Sequence, residues 1–241
     1  MNKIYIYGKH PVAEALSYRP DVVEKVFLDP LQYPELDSRA KNKGIFRERF
    51  DEQKISKRIG DEAVHQHVAA LVNLDELMTD LPSLEETLAQ EKGVGLVLLG
   101  EVQDPQNVGS IIRSAAAFGM HGVLIPKDRQ AQITSSVIKA SVGTAFRIPL
   151  IAIGNVNQTV RELKDKRFWV YGLAGDGART IRDEDFTGNS VFIVGNEAQG
   201  IRAKTSEHCD AVLRIPISEN AESLNAGTSA AIAFYEWRSK Q

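Results

Sequence analysis

The chain has 241 residues, 43% of them hydrophobic and 25% charged, with a formal net charge of -3 at pH 7, which is enough length for a real core in one large domain or in a large and a small one. A single cysteine, Cys209, rules out an internal disulfide and a cysteine-built metal cluster. No run of 18 apolar residues suggests a membrane-spanning helix, and the net charge argues against a uniformly basic nucleic-acid binder.

The opening "MNKIYIYGKHPVAEAL" lacks the basic start, apolar stretch and cleavage site of a secretory signal, so a cytoplasmic location and no membrane partner are expected. "KIYIYG" alternates like a strand, "HPVAEALSYR" reads as a short helix with Pro near its start, and "VVEKVFLDP" as a strand ended by Pro. "ELDSRAKNKGIF" and "DEQKISKRIG" follow as helical or loop pieces. Lys41, Asn42, Lys43 and Gly44 suit a helix C-terminus, where cations and a glycine are favoured. Charge is unevenly spread here. From Arg39 to Arg58 eight Lys/Arg face three acids, which fits either a solvated helix face or a footprint for phosphates. "HQHVAALV" closes this small α/β unit as a strand, on which His65 and His67 share one face, as ordinary strand residues or, less simply, as ligands. The predicted domains are 1–75, an acidic linker 76–93 interrupted by Pro82 and holding some helix, and 94–241.

From Gly93 onward strands and helices alternate. "VGLVLLGEV" is the continuous apolar run of a strand covered on both faces, "NVGSIIRSAAAFGM" a helix, "GVLIP" a strand, "SSVIKASVG" a helix and "AFRIPLIAI" a strand. "VNQTVRELKDKR", "FWVYGLAG", "SVFIVGNEAQG", "AVLRIPI" and "SLNAGTSAAIAFYEWRSK" continue as helix, strand, strand with turn, strand and terminal helix. Such alternation implies a parallel α/β sheet with ligands beyond the C-terminal ends of its strands. No G-x-G-x-x-G follows the first of these strands, and there is no P-loop and no G-x-S-x-G, which removes the commoner α/β chemistries.

Three loops then hold the candidate site. Asn107 stands at a helix start as an N-cap or a site residue, and Arg113 lies among Ile and Ala, either snorkelling to water or held at a site. Glu197 follows a buried strand, where a carboxylate needs a cation or amide donors, Arg113 being one candidate. Ser223 and Asn225 open the last helix as caps or site groups.

Together "NVGSIIRSAAAFG", "IVGNEAQGI" and "IPISENAESLNAGTSAAIAFYEW" resemble the three ordered motifs of the SpoU/TrmH branch of the SPOUT RNA 2'-O-ribose methyltransferases. "KASVGTAFRIPL" is similar to the family segment between the first two motifs. "YGKHPVAEAL" and "HQHVAAL" are similar to the L30e-like substrate-binding domain that precedes the bacterial enzymes acting on 23S rRNA guanosine. The resemblance implies a C-terminal SPOUT domain with a deep trefoil knot, a homodimer whose active site draws on both subunits, S-adenosylmethionine as cofactor, no metal and no DNA partner. It further implies that Leu173 and Ala174 line the cofactor pocket, that Gly195, Ile215 and Leu224 give it main-chain contacts, and that Asn107, Arg113, Glu197, Ser223 and Asn225 stand near the reacting groups. Arg113 is expected to bind the phosphate beside the target ribose, with Glu197 and Asn107 holding it, and Arg39, Lys41, Lys43 and Arg47 to bind RNA. A tRNA ribose methyltransferase and a catalytically silent RNA-binding or ribosome-assembly protein are the rival readings. Two departures from the family pattern are Gly227, where a Ser is usual, and His67, where Gly is usual.

Overall fold

The computed structural model describes residues 2–60 and 63–241. In chain order the elements are β1 (Lys3–Tyr7), α1 (Lys9–Tyr18), β2 (Val23–Phe27), α2 (Pro34–Asn42), β3 (Phe46–Glu48), α3 (Glu52–Ile59), β4 (Ala69–Asn73), α4 (Leu74–Leu77), β5 (Met78–Thr79), α5 (Leu81–Leu88), β6 (Gly95–Gly100) and α6 (Pro105–Ala117). They continue with β7 (Gly122–Pro126), α7 (Ser135–Ala140), β8 (Leu150–Ile153), α8 (Val156–Asp165), β9 (Trp169–Leu173), β10 (Arg179–Thr180), β11 (Ser190–Gly195), α9 (Ala203–Ser206), β12 (Ala211–Arg214) and α10 (Ala226–Ser239). No helix among the described residues is long and apolar enough to cross a membrane. By their contacts the elements fall into two units, Met1–Met78 with Ile133–Arg147, and Thr79–Gln132 with Ile148–Gln241.

The first unit is a four-stranded sheet in the order β1-β4-β2-β3, antiparallel except for β2 with β3. α1 and α2 bury Val12, Ala15, Leu16, Leu36 and Ala40. α2 ends as the sequence predicts, with Lys43 at its C-cap and Gly44 at φ 69°. The strand expected from "HQHVAALV" begins only at Ala69. His65 to His67 form a turn before it, with Gln66 at φ 54° and His67 at φ 53°, so the two histidines are not strand neighbours. Segment 133–147, which the sequence reading places in the C-terminal domain, packs in this unit. The Ser135 hydroxyl donates to the Tyr5 carbonyl at 2.6 Å, Lys139 Nζ donates to the Val64 carbonyl at 3.0 Å, and the Arg147 guanidinium pairs with the Glu14 carboxylate. The expected strand "AFRIPLIAI" is split accordingly, a 3-10 turn over Thr144–Phe146 preceding β8.

The second unit is an eight-stranded sheet in the order β10-β12-β9-β11-β6-β7-β8-β5. The registered pairs from β10 across to β8 are parallel. β6 and β11 sit centrally as uninterrupted buried runs, as parallel strands covered on both faces must. One face packs Leu96, Leu98, Leu124, Ile151, Val160, Leu163, Val191 and Ile193 together. α10 buries Ala230, Ala233, Phe234 and Trp237, an i, i+3, i+4, i+7 stripe, and the Phe234 ring meets Phe192 edge-on at 6.0 Å. The acidic stretch 76–93 contains β5 and α5, the latter started by Asp80, whose side chain accepts the Ser83 N–H at 2.9 Å.

Gly143 is the hinge of the packed segment in the first unit. Its φ is 83°, and a Cβ there would lie 2.8 Å from Glu14 Cβ and 2.9 Å from Pro11 Cα. Gly143→Ala is therefore expected to destabilise this unit by about 1–3 kcal/mol. Hydrogen exchange should show β1 amides losing protection while β6 amides keep theirs; unchanged β1 protection would mean that the segment does not support the sheet.

Candidate active site

β6 ends at Gly100, and the chain turns through Glu101, at φ 69°, into Asp104. Asp104 caps α6, its carboxylate accepting the Gln106 N–H at 2.8 Å, and Pro105 fills the first helical position, where its missing N–H costs nothing. The cap is thus Asp104 and not Asn107. Asn107 lies one turn inside and is only 5% exposed, so its amide is free for other partners.

Those partners come from two other strand ends. β11 ends at Gly195, where a Cβ would stand 2.4 Å from the Gly200 carbonyl carbon; only a glycine lets the following turn fold back this closely. The turn is closed by Asn196 and Gly200, which exchange backbone hydrogen bonds of 2.9 Å, and by Asn196 Oδ1, which accepts the N–H groups of Ala198 and Gln199. Asn196 Nδ2 also donates to the Glu101 carbonyl at 3.0 Å. This places Glu197 so that its Oε1 accepts from Asp104 N at 3.1 Å and Asn107 Nδ2 at 2.9 Å, while Oε2 accepts from Gln103 N at 3.2 Å. From the third loop, Asn225 Nδ2 donates to Asn107 Oδ1 at 2.6 Å, and its Oδ1 caps α10 by accepting from Gly227 N and Thr228 N at 2.8 and 3.3 Å. Asn225 is both cap and site group.

Partial burial opposes the charge on Glu197, but the Asn107 amide and the backbone N–H groups outweigh it and hold the carboxyl below its ordinary pKa. Amide donors, rather than Arg113, therefore satisfy this carboxylate. Arg113 lies six residues beyond Asn107, about 120° apart around the helix, so the two occupy different faces of α6. It is exposed and makes no ion pair or side-chain hydrogen bond among the described residues, and the expected hold of Glu197 and Asn107 on it is not made within one chain.

The loops after β9, β11 and β12 and the start of α10 enclose a cleft of about 560 Å³, a size that suits a nucleoside-bearing ligand. Leu173, Ala174, Gly195, Ile215 and Leu224 all line it, as do Glu197, Ser223 and Asn225. Asp176, Val194, Ile201, Leu213, Ile217 and Glu222 line it too; of these, sequence reasoning could have found Val194, Ile201 and Leu213 as strand-end apolar residues beside the motifs. Asp104 was also missed, although "DPQ" carries the cap signal of an acid before proline. Cys209 offers no nucleophile: burial pushes its thiol up to about 11.

The four basic residues of the first unit lie apart from one another in role. Arg47 is paired with Asp37 at 3.0 Å and Arg39 donates to Ser17 Oγ at 3.0 Å, whereas Lys41 and Lys43 are exposed at the end of α2 without ion partners among the described residues. Among the described residues, Glu52, His65 and His67 are close enough to share an ion. The His65 Nδ1 accepts the His67 N–H at 3.0 Å, which leaves the ring proton on Nε2, facing Glu52 Oε1 at 3.0 Å. Both ring nitrogens are thereby engaged, and the arrangement is that of a hydrogen-bonded turn.

Gly227 has a steric origin. A Cβ on it would lie 2.7 Å from Ser110 Oγ and 2.9 Å from Ser110 Cβ, so α6 and α10 approach too closely here for a side chain. Ser110 places its hydroxyl beside Gly227, where the motif resemblance leads a serine to be expected.

The sequence pattern of the SpoU rRNA Methylase family matches residues 95–235, and that of the RNA 2'-O ribose methyltransferase substrate-binding domain matches residues 5–78. The chain is 35% identical over 237 residues to the 23S rRNA (guanosine-2'-O-)-methyltransferase RlmB of Xanthomonas axonopodis pv. citri, covering 96% of this chain and 94% of that protein. It is 33% identical over 238 residues to the enzyme of the same name from Escherichia coli K12, covering 96% of each. In fold it is similar to the SpoU methyltransferase AviRb of Streptomyces viridochromogenes in complex with AdoMet (TM-score 0.79, 21% identity, 99% and 90% of the two chains). An AdoMet-bound rRNA methyltransferase from Sinorhizobium meliloti is similar to the same degree (TM-score 0.79, 23% identity, 98% and 87%).

Two tests follow from the geometry. Because the Glu197 pKa is depressed, its bonds to the Gln103 and Asp104 amides are complete at neutral pH and are lost only as pH falls below the ordinary glutamate range. The amide chemical shifts of Gln103 and Asp104 should titrate together, with a midpoint below that of an ordinary glutamate, and should stop doing so in Glu197→Gln; a midpoint at or above the ordinary glutamate value would contradict the bonding. Separately, Gly227→Ala should cost about 1–3 kcal/mol in denaturant unfolding and be largely rescued by Ser110→Gly in the double variant. Additive losses would show that the two positions are not in contact.

Proposed function

The chain belongs to the SpoU rRNA Methylase family, and from this premise we propose that it methylates the 2'-hydroxyl of a ribose in RNA, a guanosine of 23S rRNA, using S-adenosylmethionine. One observation carries the reading: the three motif loops converge on Glu197 at the rim of a cleft lined by every residue assigned to the cofactor. The cofactor fits that cleft. Leu173, Leu213, Ile215 and Leu224 offer an apolar seat for an adenine ring, and the bare backbone at Gly195 offers hydrogen-bonding groups. When bound, S-adenosylmethionine supplies a methyl group activated by its sulfonium charge.

The chain's own groups then have distinct tasks. Glu197, Asn107 and Asn225 fix the three loops relative to one another, so that a cofactor held in the cleft and a ribose hydroxyl would meet in a fixed arrangement; positioning of this kind contributes on the order of 7–11 kcal/mol in the best cases. Ser223 and Asn225, at the cleft, orient the ribose or the cofactor. Arg113 binds the phosphate beside the target ribose and stabilises the developing alkoxide; the hydroxyl proton leaves to that phosphate or to a water, because a guanidinium keeps its protons and is no base. Since Arg113 is exposed and is not among the residues lining the cleft of its own chain, we place it at the cleft of a second copy in a homodimer. Residues 5–78 provide the RNA-binding domain, with Lys41 and Lys43 among its unpaired exposed cations, and Arg39 and Arg47 available once their present partners exchange for phosphate. The loops after β9, β11 and β12 are where the family's trefoil knot would lie, and the cytoplasm is the expected compartment.

Labelled methyl from S-adenosylmethionine should enter 23S rRNA transcripts and not 16S rRNA or tRNA, with the product mapping as 2'-O-methylguanosine. Label in tRNA alone would keep the chemistry and overturn the substrate. Arg113→Ala should lower kcat at least 100-fold with cofactor affinity within about twofold of wild type. Mixing Arg113→Ala with an Asn225→Ala chain should restore part of the activity in heterodimers. No recovery, with dimers present, would place Arg113 in its own chain's site.

A further inference from the structure

The loop after β7, residues 127–132, leaves the sheet at the same end as the cleft, one strand over from β6. It is fastened there at several points. The Lys127 N–H donates to the Ile153 carbonyl at 3.0 Å, and the Ala131 N–H donates to the Val102 carbonyl at 3.0 Å. The Val102 carbonyl also accepts from Gln130 Nε2 at 2.6 Å, and Gln132 Nε2 ties the loop to itself through the Lys127 and Gln130 carbonyls at 3.0 and 3.1 Å. Gln130 is 7% exposed, and its Oε1 is buried with no partner among the described residues. A polar side chain buried at this cost has a positioning task. Val102 immediately precedes Gln103, whose N–H holds Glu197, so the loop is bonded directly to the backbone that carries the catalytic node.

At the tip of this loop Arg129 adopts φ 57°, a conformation that a residue with a Cβ takes only when its surroundings hold it there. Lys127 and Arg129 are both exposed, and neither has an ion pair among the described residues. Arg202, in the loop after β11, differs: its guanidinium is taken by Glu101 at 2.7 Å. Asp128, also exposed, stands between the two cations and leaves the loop with a single net positive charge. A free guanidinium on a prefastened loop binds a phosphate with two parallel hydrogen bonds and loses little conformational freedom in doing so.

We propose that residues 127–132 form a second phosphate-binding element for the RNA substrate, in which Arg129 grips a backbone phosphate flanking the methylated nucleotide, Lys127 assists it, and Gln130 positions the loop against Val102. The proposal rests on the RNA methyl-transfer reading above and extends it to a specific set of residues. It assigns the loop to binding and register, not to the chemical step.

The test compares wild type with Arg129→Ala, Arg129→Lys and, as a control at the opposite end of β6, Lys92→Ala, each as full-length protein. Steady-state methyl transfer to 23S rRNA transcript, RNA binding across a salt series and S-adenosylmethionine binding are measured for each. Arg129→Ala should raise KM for RNA about tenfold or more, leave kcat and cofactor binding within about twofold, and reduce the slope of log affinity against log salt by about 0.7–0.9. Arg129→Lys should recover part of the KM, and Lys92→Ala should match wild type. An Arg129→Ala variant with wild-type KM and salt slope overturns the proposal, as does one whose kcat falls with KM unchanged. A wild type that binds RNA with an Arg129-dependent salt slope but transfers no methyl would keep the loop's role and remove the methyl-transfer reading instead.

Discussion

The catalytic unit depends on one carboxylate. Glu197 is placed beyond a buried central strand, where an ionised group persists only if its oxygens are met by donors. It receives them from the backbone entering α6 and from Asn107, which in turn accepts from Asn225 at the start of α10. Three segments far apart in sequence are thus joined by a continuous run of hydrogen bonds whose end point is the cap of the terminal helix. Removal of the charge would loosen the loop after β6, the turn after β11 and the start of α10 together, since each is fixed by reference to the others. Gln130 extends the same run outward to the loop after β7.

The sheet makes this arrangement possible by bringing β6 and β11 side by side in register, Gly100 opposite Gly195. Their ends stop at the same level, so the loops that follow begin from a common edge. Glycine at both ends keeps the backbones close: a Cβ on Gly100 would stand 3.0 Å from the Val194 carbonyl oxygen. Packing beneath fixes the edge. Most apolar residues of the central strands are buried, and burial of this kind, rather than the site's own hydrogen bonds, supplies the stability against which a partly strained loop such as Glu101 can be held.

Much of this is legible in the sequence, for identifiable reasons. Strands of uninterrupted Val, Leu and Ile between helices of mixed character announce a parallel sheet, and the residues just after those strands are the ones that reach the cleft. Asn107, Glu197 and Asn225 are found together as the motif resemblance implies. The partner of Glu197 is harder to see, because two backbone N–H groups leave no mark in a sequence, while an arginine in the preceding motif does. Helical phase separates Arg113 from Asn107, and a count of residues along α6 shows it only after the helix has been placed. His65 and His67 misled in the opposite way: alternation suggested a strand, and the positive φ angles that make a turn there belong to residue types that seldom adopt them. Gly227 looked like a loss and is a fit, which only the distance to Ser110 reveals.

The discontinuity of the first unit bears on how the chain is made. Ser135, Lys139 and Arg147 hold Tyr5, Val64 and Glu14, so the sheet that opens the sequence lacks part of its covering until synthesis has passed through β7 and reached Arg147. Nascent β1 therefore waits, with its neighbours paired but one support missing, while the first strands of the second unit emerge. The first unit thus completes its contacts only after the second has begun to emerge, and a ribosome stalled before Arg147 would carry a sheet already formed in outline and still open to chaperones and proteases.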